Sequence, residues 1–251
     1  MKVAAVQHDI VWEDRDATLG NLETCVADGA AHADLIVLPE MFAIGFVPRP
    51  APFAEEPDGP TVQWMRRQAA RHDAWVCGSL PIRVAGEGRP RNELVVAGPD
   101  GTTHRYAKIH PFSYAGEHTH YAPGRDFLTV EIAGIRTTFF VCYDLRFADE
   151  FWVNAEATDM YVVVANWPAS RRHHWRALLV ARAIENQAYV VGVNRVGSGG
   201  GLDYAGDTAI VDPLGETLVA ASAVETVLVA EVDAARVASV RAEFPFLADR
   251  R

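Results

Sequence analysis

Several strand-like runs in this chain are apolar at every position, and helix-like runs separate them from end to end. Leu35-Ile36-Val37-Leu38 and Met160-Tyr161-Val162-Val163-Val164-Ala165 have no polar face at all. Such strands must be covered on both sides, which restricts the chain to folds that layer helices over sheets. The expected strands are Val3–His8, Asp34–Leu38, Ala74–Leu80, Asn92–Gly98, Thr102–Ala107, Phe127–Ile132, Ile135–Val141, Met160–Ala165 and Tyr189–Asn194. Two or three more are expected around Asp212-Pro213-Leu214-Gly215-Glu216. Helices are expected at Ala17–His32, at Thr61–His72, after Cys142 to about Thr158, from about Arg171 to Asn186, and near the C-terminus. Pro99-Asp100-Gly101 and Ala133-Gly134 supply hairpin turns. Hairpins mixed with crossover helices give an α/β sandwich: two sheets inside, helices on both outer faces. The 251 residues suit a single domain over 1–251.

A formal charge of −10 argues against a nucleic-acid or anionic-membrane surface. The opening residues, with Lys2 and Asp9 among them, do not make a signal peptide, and no apolar run reaches the length of a membrane helix. Three scattered cysteines form neither a disulfide framework nor a zinc spacing. The chain reads as cytoplasmic.

Cys142 stands where the strand Ile135–Val141 passes into a turn opening a helix. A thiol there lies near backbone N–H groups with no helical partner, which favour a thiolate and can hold a developing oxyanion. A lone Cys after an apolar strand is more commonly a small core residue, and Cys25 and Cys77 read that way. Glu40 follows Leu38-Pro39 at the edge of another buried strand, a half-desolvated position that suits a general base. Lys108 ends the strand Thr102–Ala107 and is either a solvated strand end or a fixed ammonium. Glu117 sits on the loop before Pro123-Gly124. The segments Ala33–Glu40 and Thr158–Asn166 echo each other: each is a buried strand delivering a polar residue at its C-terminal edge, where α/β sheets collect functional groups.

Taken together, these motifs closely resemble the nitrilase superfamily, the carbon–nitrogen hydrolases. The resemblance runs through Leu38-Pro39-Glu40, Lys108-Ile109-His110, Gly116-Glu117, Pro123-Gly124 and Cys142-Tyr143-Asp144-Leu145-Arg146-Phe147. It continues through Ala165-Asn166-Trp167-Pro168, Ala181–Gln187, Gly192–Gly197, Gly206-Asp207-Thr208 and Asp212–Glu216. It implies Cys142 as nucleophile, Glu40 as general base, Lys108 as oxyanion holder and Glu117 as a supporting glutamate. It also implies a four-layer α-β-β-α sandwich, a homodimer joined across helices near the site, and no metal or organic cofactor. Pro111 departs from the Leu of many relatives and is expected to reshape the loop toward Glu117.

Trp167-Pro168-Ala169-Ser170-Arg171 with His174-Trp175 looks most like the omega-amidase branch. That branch implies a small-molecule substrate, a short dicarboxylic monoamide such as 2-oxoglutaramate or 2-oxosuccinamate. A free thiol is only about 3% ionised at neutral pH, so Cys142 needs a base to act. The substrate carboxylate needs a cation, for which Arg171 is favoured over Arg172. Asn166, Tyr143, Trp167 and His174 complete the expected pocket, with Tyr143 lending its N–H to the oxyanion. An N-carbamoyl amino acid hydrolase, an aliphatic amidase and a nitrilase use the same triad and remain alternatives. His118-Thr119-His120 and His173-His174 lack the i, i+4 spacing of a zinc hydrolase. Gly197-Ser198-Gly199-Gly200-Gly201 lacks the Lys-Ser/Thr of a phosphate loop and reads as a mobile loop near the site mouth.

Overall fold

Alternate residues of the first strand, β1 (Lys2–Gln7), belong to different cores: Val3 and Ala5 to one, Ala4 and Val6 to another. The computed structural model describes residues 1–250 and repeats this division along every neighbouring strand. After β1 come β2 (Leu35–Val37), β3 (Trp75–Ile82), β4 (Arg91–Ala97) and β5 (Thr103–Ala107). The next strands are β6 (Thr129–Ile132), β7 (Ile135–Val141), β8 (Met160–Ala165) and β9 (Tyr189–Asn194). They are followed by β10 (Val196–Gly199), β11 (Leu202–Val211), β12 (Thr217–Ser222) and β13 (Thr226–Glu231). One sheet has the order β13-β1-β2-β3-β4-β5, and the other β10-β11-β9-β8-β7-β6 with β12 beside β11. At the centre of each sheet three strands run parallel: β1, β2 and β3 in the first, β7, β8 and β9 in the second.

Period-two alternation explains the layers. Val3, Ala5, Leu35, Val37, Leu94 and Val96 face the second sheet and share its core with Phe139, Val162 and Val191. Their neighbours Ala4, Val6, Ile36, Val76 and Val95 face Leu22 and Val26 of α1 (Arg15–Gly29) and Val62 and Met65 of α2 (Pro60–His72). A short helix, α3 (Glu117–His120), precedes the second sheet, followed by α4 (Ala148–Asn154), α5 (Arg172–Asn186) and α6 (Ala234–Glu243). Leu179 and Ala183 of α5 and Val237 of α6 pack on the outer face of the second sheet. Gly192 on β9 makes this approach possible, because a Cβ there would run into the Leu179 side chain. The result is the expected α-β-β-α sandwich.

Local chemistry sets the element ends. Asp14 caps α1 by accepting from Ala17 N–H at 3.0 Å, so the helix starts earlier than its apolar pattern suggests. Ala133 and Gly134 both take positive φ, 47° and 78°, and join β6 to β7 in a two-residue hairpin. The run after Cys142 is not one helix. It is a 3-10 turn over Cys142–Arg146, an extended Phe147, α4, and a second 3-10 turn over Ala155–Ala157. The glycine tract after β10 is also not a free loop. It forms the paired hairpin β10–β11, closed by Gly200 and Gly201 at φ 59° and 78°, with Gly197 opposite Tyr204. Its location at the site mouth holds, since Leu202 and Tyr204 of this hairpin line the cleft described next.

Candidate active site

The two parallel triplets end at the same place, and the polar residues after β2 and β8 meet there. Glu40 follows β2 by a short turn, and Asn166 follows β8 directly. The Asn166 N–H donates to Glu40 Oε2 at 2.9 Å, and its Nδ2 donates to the Glu40 carbonyl. Lys108, just past β5, donates from Nζ to Glu40 Oε1 and to Glu117 Oε2, each at 2.9 Å. Asn92 at the start of β4 repeats the bridge, giving Nδ2 to Glu40 Oε1 at 2.8 Å and to Glu117 Oε1 at 3.0 Å. Glu40 and Glu117 are wholly buried and Lys108 is 1% exposed. Glu117 is therefore no ordinary loop acid: it opens α3 and turns inward. Pro123-Gly124 brings the following segment back over Lys108, where Gly124 N–H donates to the Lys108 carbonyl at 2.8 Å. A Cβ on Gly124 would collide with the Ala107 carbonyl, so only glycine fits.

Charges this deep persist only when paired. Burial works against the Lys108 ammonium, but the Glu117 and Glu40 carboxylates outweigh it and hold the amine protonated well above the ordinary lysine range. Cys142 faces the same group. Burial and the Glu40 carboxylate, partly offset by Lys108, push the thiol well above its usual range. At rest Cys142 is thus a neutral thiol beside Glu40, rather than the thiolate its helix-start position favours. Its backbone φ of 47° lies in the left-handed region, a strained setting for a non-glycine residue that characteristically occurs at functional sites. The N–H of Tyr143 belongs to the first turn after it and has no partner within that turn.

Cys142, Glu40 and Lys108 open into a cleft of about 480 Å³. Its aromatic walls are Phe46, Phe112, Tyr143, Trp167 and Tyr204. Asn166, Arg146 and Arg171 add polar groups. Tyr143 packs against Phe112 with ring centroids 4.8 Å apart, and the Arg171 guanidinium lies 5.5 Å over Phe112. The Trp167 indole N–H donates to the Arg171 carbonyl at 2.9 Å, which ties wall and cation together. Arg146 lies 4.8 Å over Trp167. Neither Arg146 nor Arg171 meets a carboxylate within 4 Å among the described residues.

Two sequence expectations change here. His174 is exposed and does not line the cleft; its Nδ1 lies 3.2 Å from Arg146 Nη2, so it reaches the site only through that arginine. Arg172 is engaged elsewhere, holding Asp207 at 2.7 and 2.8 Å. The sequence reading overlooked Asn92, Arg146, Phe46 and Tyr204. Asn92 left a signal: it shares the inward face of β4 with Leu94 and Val96, where a polar residue is out of place.

A four-layer sandwich with Glu, Lys and Cys gathered at converging strand ends defines a class of hydrolase. Residues 2–242 match the carbon-nitrogen hydrolase family, and the chain belongs to it, a hydrolase acting on carbon–nitrogen bonds. It is 41% identical over 248 residues to the omega-amidase YafV of Escherichia coli strain K12, covering 98% of this chain and 94% of the relative. It is 30% identical over 255 residues to the 2-oxoglutaramate amidase of Bacillus subtilis strain 168, covering 99% and 97%. A CN-hydrolase superfamily protein of Xanthomonas campestris, with an arsenic adduct in its active site, superposes with a TM-score of 0.95 at 40% identity. That match covers 100% of this chain and 97% of the other.

Proposed function

We propose that the chain is an omega-amidase that hydrolyses the terminal amide of a short dicarboxylic monoamide of the 2-oxoglutaramate or 2-oxosuccinamate type. One observation carries this reading: the cleft that holds Glu40, Lys108 and Cys142 also holds Arg171, a guanidinium with no carboxylate partner among the described residues. A substrate with an amide and a carboxylate uses both. The names of the relatives, omega-amidase and 2-oxoglutaramate amidase, support the same substrate class.

In the proposed reaction Glu40 accepts the Cys142 proton as sulfur attacks the amide carbon. A thiol pushed up by its surroundings ionises only as the S–C bond forms, so the carboxylate must be in place first. The oxyanion is held by the Lys108 ammonium and the Tyr143 N–H. The intermediate collapses, Glu40 returns its proton to the leaving nitrogen, and ammonia departs from a thioester on Cys142. Glu40 then takes a proton from water as its oxygen attacks the thioester, and gives that proton back to sulfur when the acid leaves. Glu117 keeps Lys108 aimed. Trp167 and Tyr143 wall the acyl chain, Asn166 fixes Glu40, and no cofactor enters.

Ammonia release from 2-oxoglutaramate, glutamine, a simple aliphatic amide, a nitrile and an N-carbamoyl amino acid tests the assignment. The dicarboxylic monoamide is expected to have the highest kcat/KM; preference for one of the last three would replace this reading with an aliphatic amidase, nitrilase or carbamoylase. Arg171→Ala is expected to raise KM for 2-oxoglutaramate about tenfold or more, the scale of a lost charged hydrogen bond, and to leave the simple amide unchanged. An equal rise for both would remove Arg171 as the carboxylate anchor. The assignment extends to a cytosolic homodimer. Sedimentation equilibrium checks the dimer.

A further inference from the structure

Asp144 is wholly buried two residues beyond Cys142, and its hydrogen bonds go neither to the cleft nor to solvent. Its Oδ2 accepts from the Tyr106 hydroxyl at 2.8 Å and from the Val141 N–H at 3.1 Å. Its Oδ1 accepts from the His110 N–H at 2.9 Å. Tyr106 and His110 lie two residues before and two residues after Lys108, while Val141 immediately precedes Cys142. One carboxylate therefore grips both flanks of the lysine and the strand end that carries the nucleophile. It does so across the seam between the sheets, since Tyr106 belongs to β5 of the first and Val141 to β7 of the second.

We infer that Asp144 is a positioning residue that fixes the separation of the Lys108 ammonium and the Cys142 sulfur by locking their backbones together. The inference rests on the proposed reading of Lys108 and Cys142 as a reacting pair. Three donors from the two sheets converge on an acceptor-only group. Burial pushes the Asp144 carboxyl up to about 6, against the pull of Lys108, Tyr106 and the two backbone donors. The group is thus held ionised at neutral pH by the contacts that define the clasp. A carboxamide of the same shape would turn an NH2 toward one of these donors and leave it unpaired. Misplacement of a reacting group by about 1 Å costs on the order of a hundredfold in rate.

The test uses the full chain with Asp144→Asn and three readouts: kcat and KM for 2-oxoglutaramate, alkylation of Cys142 by iodoacetamide, and the melting temperature. Alkylation needs the thiol but forms no oxyanion, so it senses Lys108 only through that ammonium's partial offset of the upward push on the thiol. The expected result is a fall in kcat of about a hundredfold, with KM and the alkylation rate within about threefold of wild type. A kcat within threefold of wild type would overturn the inference. So would a parallel loss of kcat, alkylation and melting temperature, the pattern of a merely structural residue. Should Asp144→Asn fail to fold, Tyr106→Phe removes a single donor, and kcat is then expected to fall roughly five- to tenfold with alkylation unchanged. An unaltered kcat in that variant also overturns it. Wild-type enzyme that still turns over after Cys142 is fully alkylated would instead sink the nucleophile assignment on which the inference stands.

Discussion

The two sheets bring different things to one cleft. The first supplies every charge in the cage: Glu40 after β2, Lys108 after β5, and Glu117 on the segment beyond it. The second supplies a thiol that rests neutral, a primary amide at Asn166, and backbone N–H groups. The two carboxylates hold the Lys108 ammonium protonated against its burial, while burial, aided by the Glu40 carboxylate, keeps the facing thiol protonated. In the proposed reaction one sheet thus works as a fixed electrostatic frame and the other as the reactive partner. Mixing their roles is the way to break the arrangement.

The largest effect is expected from removing the reactive partner. Cys142→Ala should lower ammonia release from 2-oxoglutaramate by about 10⁴-fold or more, as for nucleophiles that act as part of a unit. Turnover near the wild-type rate would end the case for covalent catalysis. Lys108→Met attacks the frame. It removes the proposed oxyanion donor, worth about 10²–10³ in kcat, and strands two buried carboxylates at a cost of about 3–5 kcal/mol. Activity and melting temperature should fall together, in contrast to Cys142→Ala, where only activity falls. Glu40→Gln sharpens the contrast. It removes the proposed base, costing about 10²–10⁴ in turnover, yet also removes a charge that opposes the thiolate. The midpoint of Cys142 alkylation against pH should therefore move to lower pH than in wild type, and a move upward would contradict the electrostatic account.

The smallest effect lies behind the frame, at His8 just past β1. Burial lowers its imidazole from 6.5 to about 4, with the Asp9 carbonyl opposing and Arg195 assisting. A depressed value means the folded state favours the neutral ring, so this contribution is complete above pH 6.5 and is lost as pH falls toward 4. The difference amounts to on the order of 3 kcal/mol. Urea denaturation of wild type between those limits should show the loss, and His8→Gln should flatten it without changing kcat at pH 7.5.

How much of this was legible beforehand follows the same division. The second sheet reads directly from the sequence: β8 is a continuous apolar run, β7 closes on Phe139-Phe140-Val141, β9 is apolar up to Asn194, and the ends of all three match the expected ones. Cys142 stands out because such a run ends at it. The frame is harder to see, since nothing local tells Lys108 from a solvated strand end; only the return of the Pro123-Gly124 segment and the pairing with two carboxylates bury it. Resemblance to a family, rather than local pattern, pointed to it. Asn92 and Tyr204 were missed because strand order, not sequence distance, brings β4 and β11 to the site. The glycine tract was misjudged because backbone freedom argues against a strand, whereas Val196, Ser198 and their partners across the hairpin supply the pairing that overrides it.

The first sheet has one more property. Its strand β1 lies between β2 and β13, with Val3 opposite Ala230 and Val6 opposite Val227. A ribosome-borne chain that has not yet emerged through residue 231 carries β1 with one flank bare, a template for any passing strand. The strand that covers this flank thus lies more than two hundred residues further along the chain, and β1 is shielded from foreign strands only after β13 has docked.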